Sequence, residues 1–103
     1  MGEALPVLLG HADGAIQQWV REALPASEFA LAVEASPKGA TAAIAERRPQ
    51  VILMDAAWGL SDKRLCAAAL GLDPPALLMA LVPAADSALA TRVLACGADD
   101  ALV

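Results

Sequence analysis

Five short apolar runs punctuate the chain, and between them the apolar positions recur at helical spacing. The runs are Leu5–Leu9, closed by Gly10, then Phe29–Ala35, Val51–Met54 ending on Asp55, Ala76–Val82, and Ala101–Val103. Runs of this length between turn residues predict strands, and Val51–Met54 predicts one buried on both faces. A helix is expected from Asp13 or Gly14 to about Leu24. Ile16, Val20 and Leu24 form its apolar stripe, with Gln17, Gln18, Arg21 and Glu22 on the wet side. Trp19, beside Val20, is expected in the core. Pro25 stops this helix. Ser36 and Pro37 predict an N-cap and a first helical residue for a second helix reaching Arg47-Arg48, whose charges suit the dipole at its end. Ser61 is expected to cap a third helix, after a loop, carrying Leu65, Ala69 and Leu72 and broken by Pro74-Pro75. Asp86 or Ser87 opens a fourth, with Leu89, Val93 and Cys96 on one face and Gly97 in the left-handed position at its end. Four strand–helix units followed by a strand imply a parallel sheet covered by helices on both faces, wound by right-handed crossovers.

Composition narrows this picture. A chain of 103 residues predicts one domain, 1–103. Hydrophobic residues make up 58% and aromatics only 3%, so slim, alanine-rich helices should pack closely. No run approaches the roughly 18 apolar residues of a membrane span. Met1-Gly2-Glu3 lacks the basic start of a signal peptide, so a cytoplasmic protein is expected. Twelve acids against seven bases leave a net charge of −5 and no basic stripe, which argues against direct nucleic-acid binding. Cys66 and Cys96, far apart in expected helices, read as reduced thiols.

Candidate chemistry gathers at the strand ends. Asp55 closes the most apolar strand at its carboxyl end, where open α/β sheets place their sites. It reads either as a site acid or as a cap for the loop that follows. Asp13 reads equally as a site acid or as the N-cap of the first helix. His11 reads as a strand-end histidine or, with Asp13 and Asp55, as the imidazole of a metal site favouring Mn²⁺ or Zn²⁺ over Mg²⁺. Gly10-His11-Ala12-Asp13-Gly14 lacks the G-x-G-x-x-G spacing of a nucleotide loop. Trp58 reads as a lid over the site or as a surface anchor. Asp99-Asp100 and Arg47-Arg48 read as solvated. No nucleophile–base pair and no complete metal set is present, so a conventional enzyme is the reading least supported.

Three segments carry a resemblance across nearly the whole chain: Val51-Ile52-Leu53-Met54-Asp55; Leu94-Ala95-Cys96-Gly97-Ala98-Asp99-Asp100-Ala101-Leu102; and Val7-Leu8-Leu9 with the helix ending Arg21-Glu22-Ala23-Leu24. Together they resemble the receiver domain of bacterial two-component response regulators. The Gly-Ala-Asp-Asp stretch is the most specific. The resemblance implies a flavodoxin-like, doubly wound, five-stranded parallel sheet of order 2-1-3-4-5. It implies Asp55 as the acceptor of a phosphoryl group from a histidine kinase, Mg²⁺ held by acids after the first strand, by the acceptor and by the backbone carbonyl of Ala57, and an output controlled through protein contacts, most commonly transcription.

The chain departs from that pattern. His11 and Ala12 stand where the acid pair belongs, leaving Asp13 as the nearby acid. Val82 stands where a hydroxyl contacts the phosphoryl group, Ala101 replaces the aromatic that reports the change, and no lysine ends the fifth strand. The usual proline after the acceptor is Gly59. With only Asp13 and Asp55 as carboxylates, Mg²⁺ should bind poorly. Two unit charges about 4 Å apart repel by roughly 4 kcal/mol at an effective dielectric near 20, about a thousandfold in rate. The expectation is a degenerate receiver not switched by ordinary phosphorylation, although the nucleophile survives. The reading from another class is a small-molecule- or metal-binding flavodoxin-like domain with no phosphorelay role. The family's closing helix has no residues here, so a strip of apolar sheet should lie uncovered, as in a chain cut from a longer regulator or in a homodimer.

Overall fold

A computed structural model describes residues 4–61, 63–72, 74–82 and 100–102. Strand β1 (Leu5–Gly10) is followed by α1 (Gly14–Ala23), β2 (Phe29–Glu34), α2 (Pro37–Arg47), β3 (Val51–Asp55), α3 (Ala56–Ser61), α4 (Lys63–Leu70) and β4 (Leu77–Leu81). The strands form a parallel sheet in the order β2-β1-β3-β4. Three residues, β5 (Asp100–Leu102), lie parallel along β4, with Ala101 opposite Ala80. The arrangement is compatible with a flavodoxin-like fold. The helix expected from Asp86 to Gly97, with Leu89, Val93 and Cys96, lies outside the described residues.

Local chemistry sets the element ends. Asp13 is extended (φ −80°, ψ 117°), and its side chain accepts the Ala15 N–H, so it caps α1. Ser36 accepts the Gly39 N–H, and Pro37 opens α2 as expected. That helix ends on Arg48, in the left-handed conformation at φ 49° and ψ 58°. After β3 there is no loop: α3 begins at Ala56, and the Asp55 carboxylate accepts the Ala57 N–H at 3.0 Å in the manner of an N-cap. Ser61, expected to precede a helix, is the last residue of α3. Helix α4 stops at Leu70, short of the expected Leu72, which still packs against the core.

Period-two alternation along the strands builds two unlike faces. Leu8, Ile52, Met54, Leu78, Ala80 and Val82 form a sealed face, each at most 5% exposed. Ala40, Ala43 and Ile44 of α2, Trp58 of α3, and Leu65 and Ala69 of α4 cover it. Each large aliphatic side chain buried there contributes about 1.5–3 kcal/mol. The other face is less sealed over β3 and β4 among the described residues. Val51, Leu53, Met79 and Leu81 are only half-buried, and with α1 they line an apolar groove of about 280 Å³.

Two expectations are corrected by this asymmetry. The Val51–Met54 run is fully buried at Ile52 and Met54 and only half-buried at Val51 and Leu53. Trp19 is not core: it is 62% exposed at the groove's rim, while Val20 is buried. Neighbours on a helix of 3.6 residues per turn point about 100° apart, so Trp19 and Val20 cannot both face the sheet.

Candidate functional site

Parallel pairing brings the candidate residues to one edge of the sheet. Gly10 lies opposite Met54, so the next residues, His11 and Asp55, emerge side by side. Asp55 is in register with Leu81, which places Val82 just beyond it on the other flank. Helix α1 starts at the same edge. His11, Asp13, Ile16, Asp55, Leu81 and Val82 line a half-open cleft of about 320 Å³. The three polar candidates thus line one cleft. Val82 is buried and adds an apolar wall with no group to bond an anion. Ala57 is exposed, and its N–H serves Asp55. Ala101 is placed by its register with Ala80.

His11 is held from three directions. Its N–H donates to the Glu34 carbonyl at 3.1 Å. Its carbonyl accepts from the Gln17 side-chain amide at 2.6 Å. Its ring Nδ1 accepts the Asp13 backbone N–H at 3.0 Å. An imidazole nitrogen that accepts a hydrogen bond carries no proton, so the neutral ring bears its proton on Nε2. That N–H lies 3.8 Å from Asp55 Oδ2, too far for a hydrogen bond between them. Asp55 Oδ1 is occupied by the Ala57 N–H, which leaves Oδ2 as the oxygen facing the cleft partner.

Two residues that shape the edge carried little signal in the sequence. Gln17 falls on the expected wet side of α1, yet it fixes the His11 carbonyl; a contact six residues back has no periodic signature. Trp58 is neither lid nor surface anchor. It is 8% exposed and packs within the sealed core. A Cβ added to Gly10 would stand 2.8 Å from its ring, so glycine at the end of β1 is what lets the indole approach the backbone one residue before His11.

The donors fit Mg²⁺ poorly. Among the described residues, no three His, Cys, Asp or Glu side chains group closely enough to hold a metal ion. The Asp13 carboxylate is engaged with the Ala15 N–H, and Asp55 offers one disengaged oxygen. His11 Nε2, bearing the proton, has no lone pair for Zn²⁺ or Mn²⁺. The chemistry available is that of one carboxylate oxygen beside one N–H donor, over an apolar wall.

No family model matches the chain, and no curated protein matches it. Among the described residues, no helix is long and apolar enough to cross a membrane.

Proposed function

We propose that the chain is an atypical receiver: a signal-input module in which Asp55 is the phosphoacceptor of an incomplete Mg²⁺ and phosphoryl site. The observation carrying this reading is the position of Asp55. It ends the central strand at the edge where β1 and β3 diverge towards opposite sides, the switch point at which open α/β sheets bind ligands. There it presents one disengaged carboxylate oxygen to a cleft. The β2-β1-β3-β4 order is compatible with the fold that the receiver resemblance implies. In this reading the partner is a histidine kinase or another signalling protein, the setting is the cytoplasm, and the module regulates an output, transcription foremost, through protein–protein contacts. Val82 and Ala101 replace the switch groups, so phosphorylation would produce little change of shape. A ligand shifts an equilibrium only through contacts that differ between states.

The test is intact mass after incubation with acetyl phosphate, beside Asp55→Asn. One phosphoryl group on the native chain and none on the variant supports the reading. No addition to a folded native chain overturns it and favours the alternative, a flavodoxin-like binding domain using the cleft between His11 and Leu81 for a small molecule.

A further inference from the structure

The site's poor fit to a metal, set beside the fixed tautomer of His11, points to a different source of help for Asp55. We propose that His11 Nε2–H is the donor that receives the phosphoryl group at Asp55, so that labelling of this chain does not depend on a divalent cation. The inference rests on Asp55 being the acceptor.

Three observations carry it. First, the ring is not free to choose its proton. The Asp13 N–H occupies Nδ1 and directs the Nε2 proton towards Asp55. Second, the donor is unspent: at 3.8 Å it makes no hydrogen bond to Oδ2, and no other partner for it is found among the described residues. Third, the His11 backbone is held by Glu34 and Gln17 and its ring by the Asp13 N–H, so little reorganisation is needed to present that proton. A preorganised donor of this kind, at the edge of an apolar wall, acts where negative charge arrives. Asp55 Oδ1 is held by Ala57, so Oδ2, the oxygen nearer His11, is the one left to attack.

The step balances without a metal or an added proton. Asp55 Oδ2 forms a bond to phosphorus as the bond from phosphorus to the acetyl oxygen breaks. Acetate leaves with that electron pair. The phosphoryl oxygens pass from solvent to the His11 N–H, which keeps its proton throughout.

The experiment follows the rate of phosphoryl addition by intact mass, with acetyl phosphate as donor, in excess EDTA and in excess Mg²⁺. Native chain, His11→Ala, His11→Gln and Asp55→Asn are compared, each shown to be folded by its thermal transition. Glutamine places an amide N–H near the position of Nε2–H, so it separates loss of a donor from loss of a ring. The expected result is labelling of the native chain at similar rates with and without Mg²⁺, a fall of about tenfold or more in His11→Ala, and substantial recovery in His11→Gln. Labelling that requires Mg²⁺, or a His11→Ala chain as reactive as native, overturns this inference and leaves Asp55 as acceptor. A folded native chain that takes up no phosphoryl group in either condition overturns the acceptor reading as well.

Discussion

Replacing Gly10 with alanine should damage the fold and the candidate site together. The new Cβ would lie 2.8 Å from Trp58 Cζ3, 3.2 Å from Cε3 and 3.5 Å from the Ala40 Cβ. Carbon atoms pack best at about 3.5–4.0 Å, so the indole must retreat by the better part of an ångström. Little room exists for that: the ring is 8% exposed within the sealed cluster. Strand β1 cannot give way easily either, because it pairs with β2 on one side and β3 on the other. Overpacking a core costs about 1–3 kcal/mol, and the rigid ring argues for the upper half of that range. At about 4–8 °C per kcal/mol for a domain near this size, the midpoint should fall by roughly 8–24 °C. Urea unfolding followed by far-ultraviolet circular dichroism measures the loss without relying on tryptophan emission. The decisive comparison is a double-mutant cycle with Trp58→Leu, which alone should cost about 2–4 kcal/mol. Once the ring is gone, the contact that remains is the Ala40 Cβ at 3.5 Å, an ordinary van der Waals distance, and the two losses should fall short of their sum by about 1 kcal/mol or more. Losses that add within about 0.5 kcal/mol would refute the close approach of Trp58 to Gly10.

Other expectations test separate parts of the account. Ser36→Ala removes the acceptor of the Gly39 N–H and should destabilise the chain by about 1 kcal/mol in urea unfolding. Gly14→Ala meets nothing within 4 Å at the first position of α1 and should stabilise it by about 0.5–1 kcal/mol in the same assay. Arg48→Gly relieves a left-handed residue at φ 49° and should raise the thermal midpoint by the equivalent of about 0.5–1 kcal/mol. Trp58→Phe leaves Trp19 as the sole indole; its emission should be water-like and readily quenched by iodide, whereas a blue-shifted, protected emission would show the groove rim to be covered.

The strands and the Ser36 cap were legible in the sequence because each rests on local chemistry: apolar runs, a side-chain oxygen before a helix, a proline at its first position. The Asp13 cap was one of two readings of that residue, and the order β2-β1-β3-β4 came from the resemblance, since no local signal sets which strands are neighbours. What escaped depends on tertiary approach. Trp19 and Trp58 exchanged expected places because a tryptophan's neighbours in sequence do not say which way it points. Trp58 was drawn inward by the glycine at the end of β1, and Trp19 lies beside a groove that α1 only partly covers. The capping reading of Asp55 is seen in the bond from the Ala57 N–H to Oδ1, while Oδ2 faces His11 at 3.8 Å. The tautomer of His11, on which the chemistry turns, was invisible because it is set by a backbone N–H two residues on.

The central claim is that phosphoryl chemistry belongs to Asp55. Its most direct measurement is site-specific: treat the chain with acetyl phosphate, reduce with borohydride, which converts an aspartyl phosphate to homoserine, and sequence the peptides by mass spectrometry. The account predicts homoserine at position 55 and nowhere else. Homoserine at Asp13 or another acid, or none in a folded chain, would contradict it.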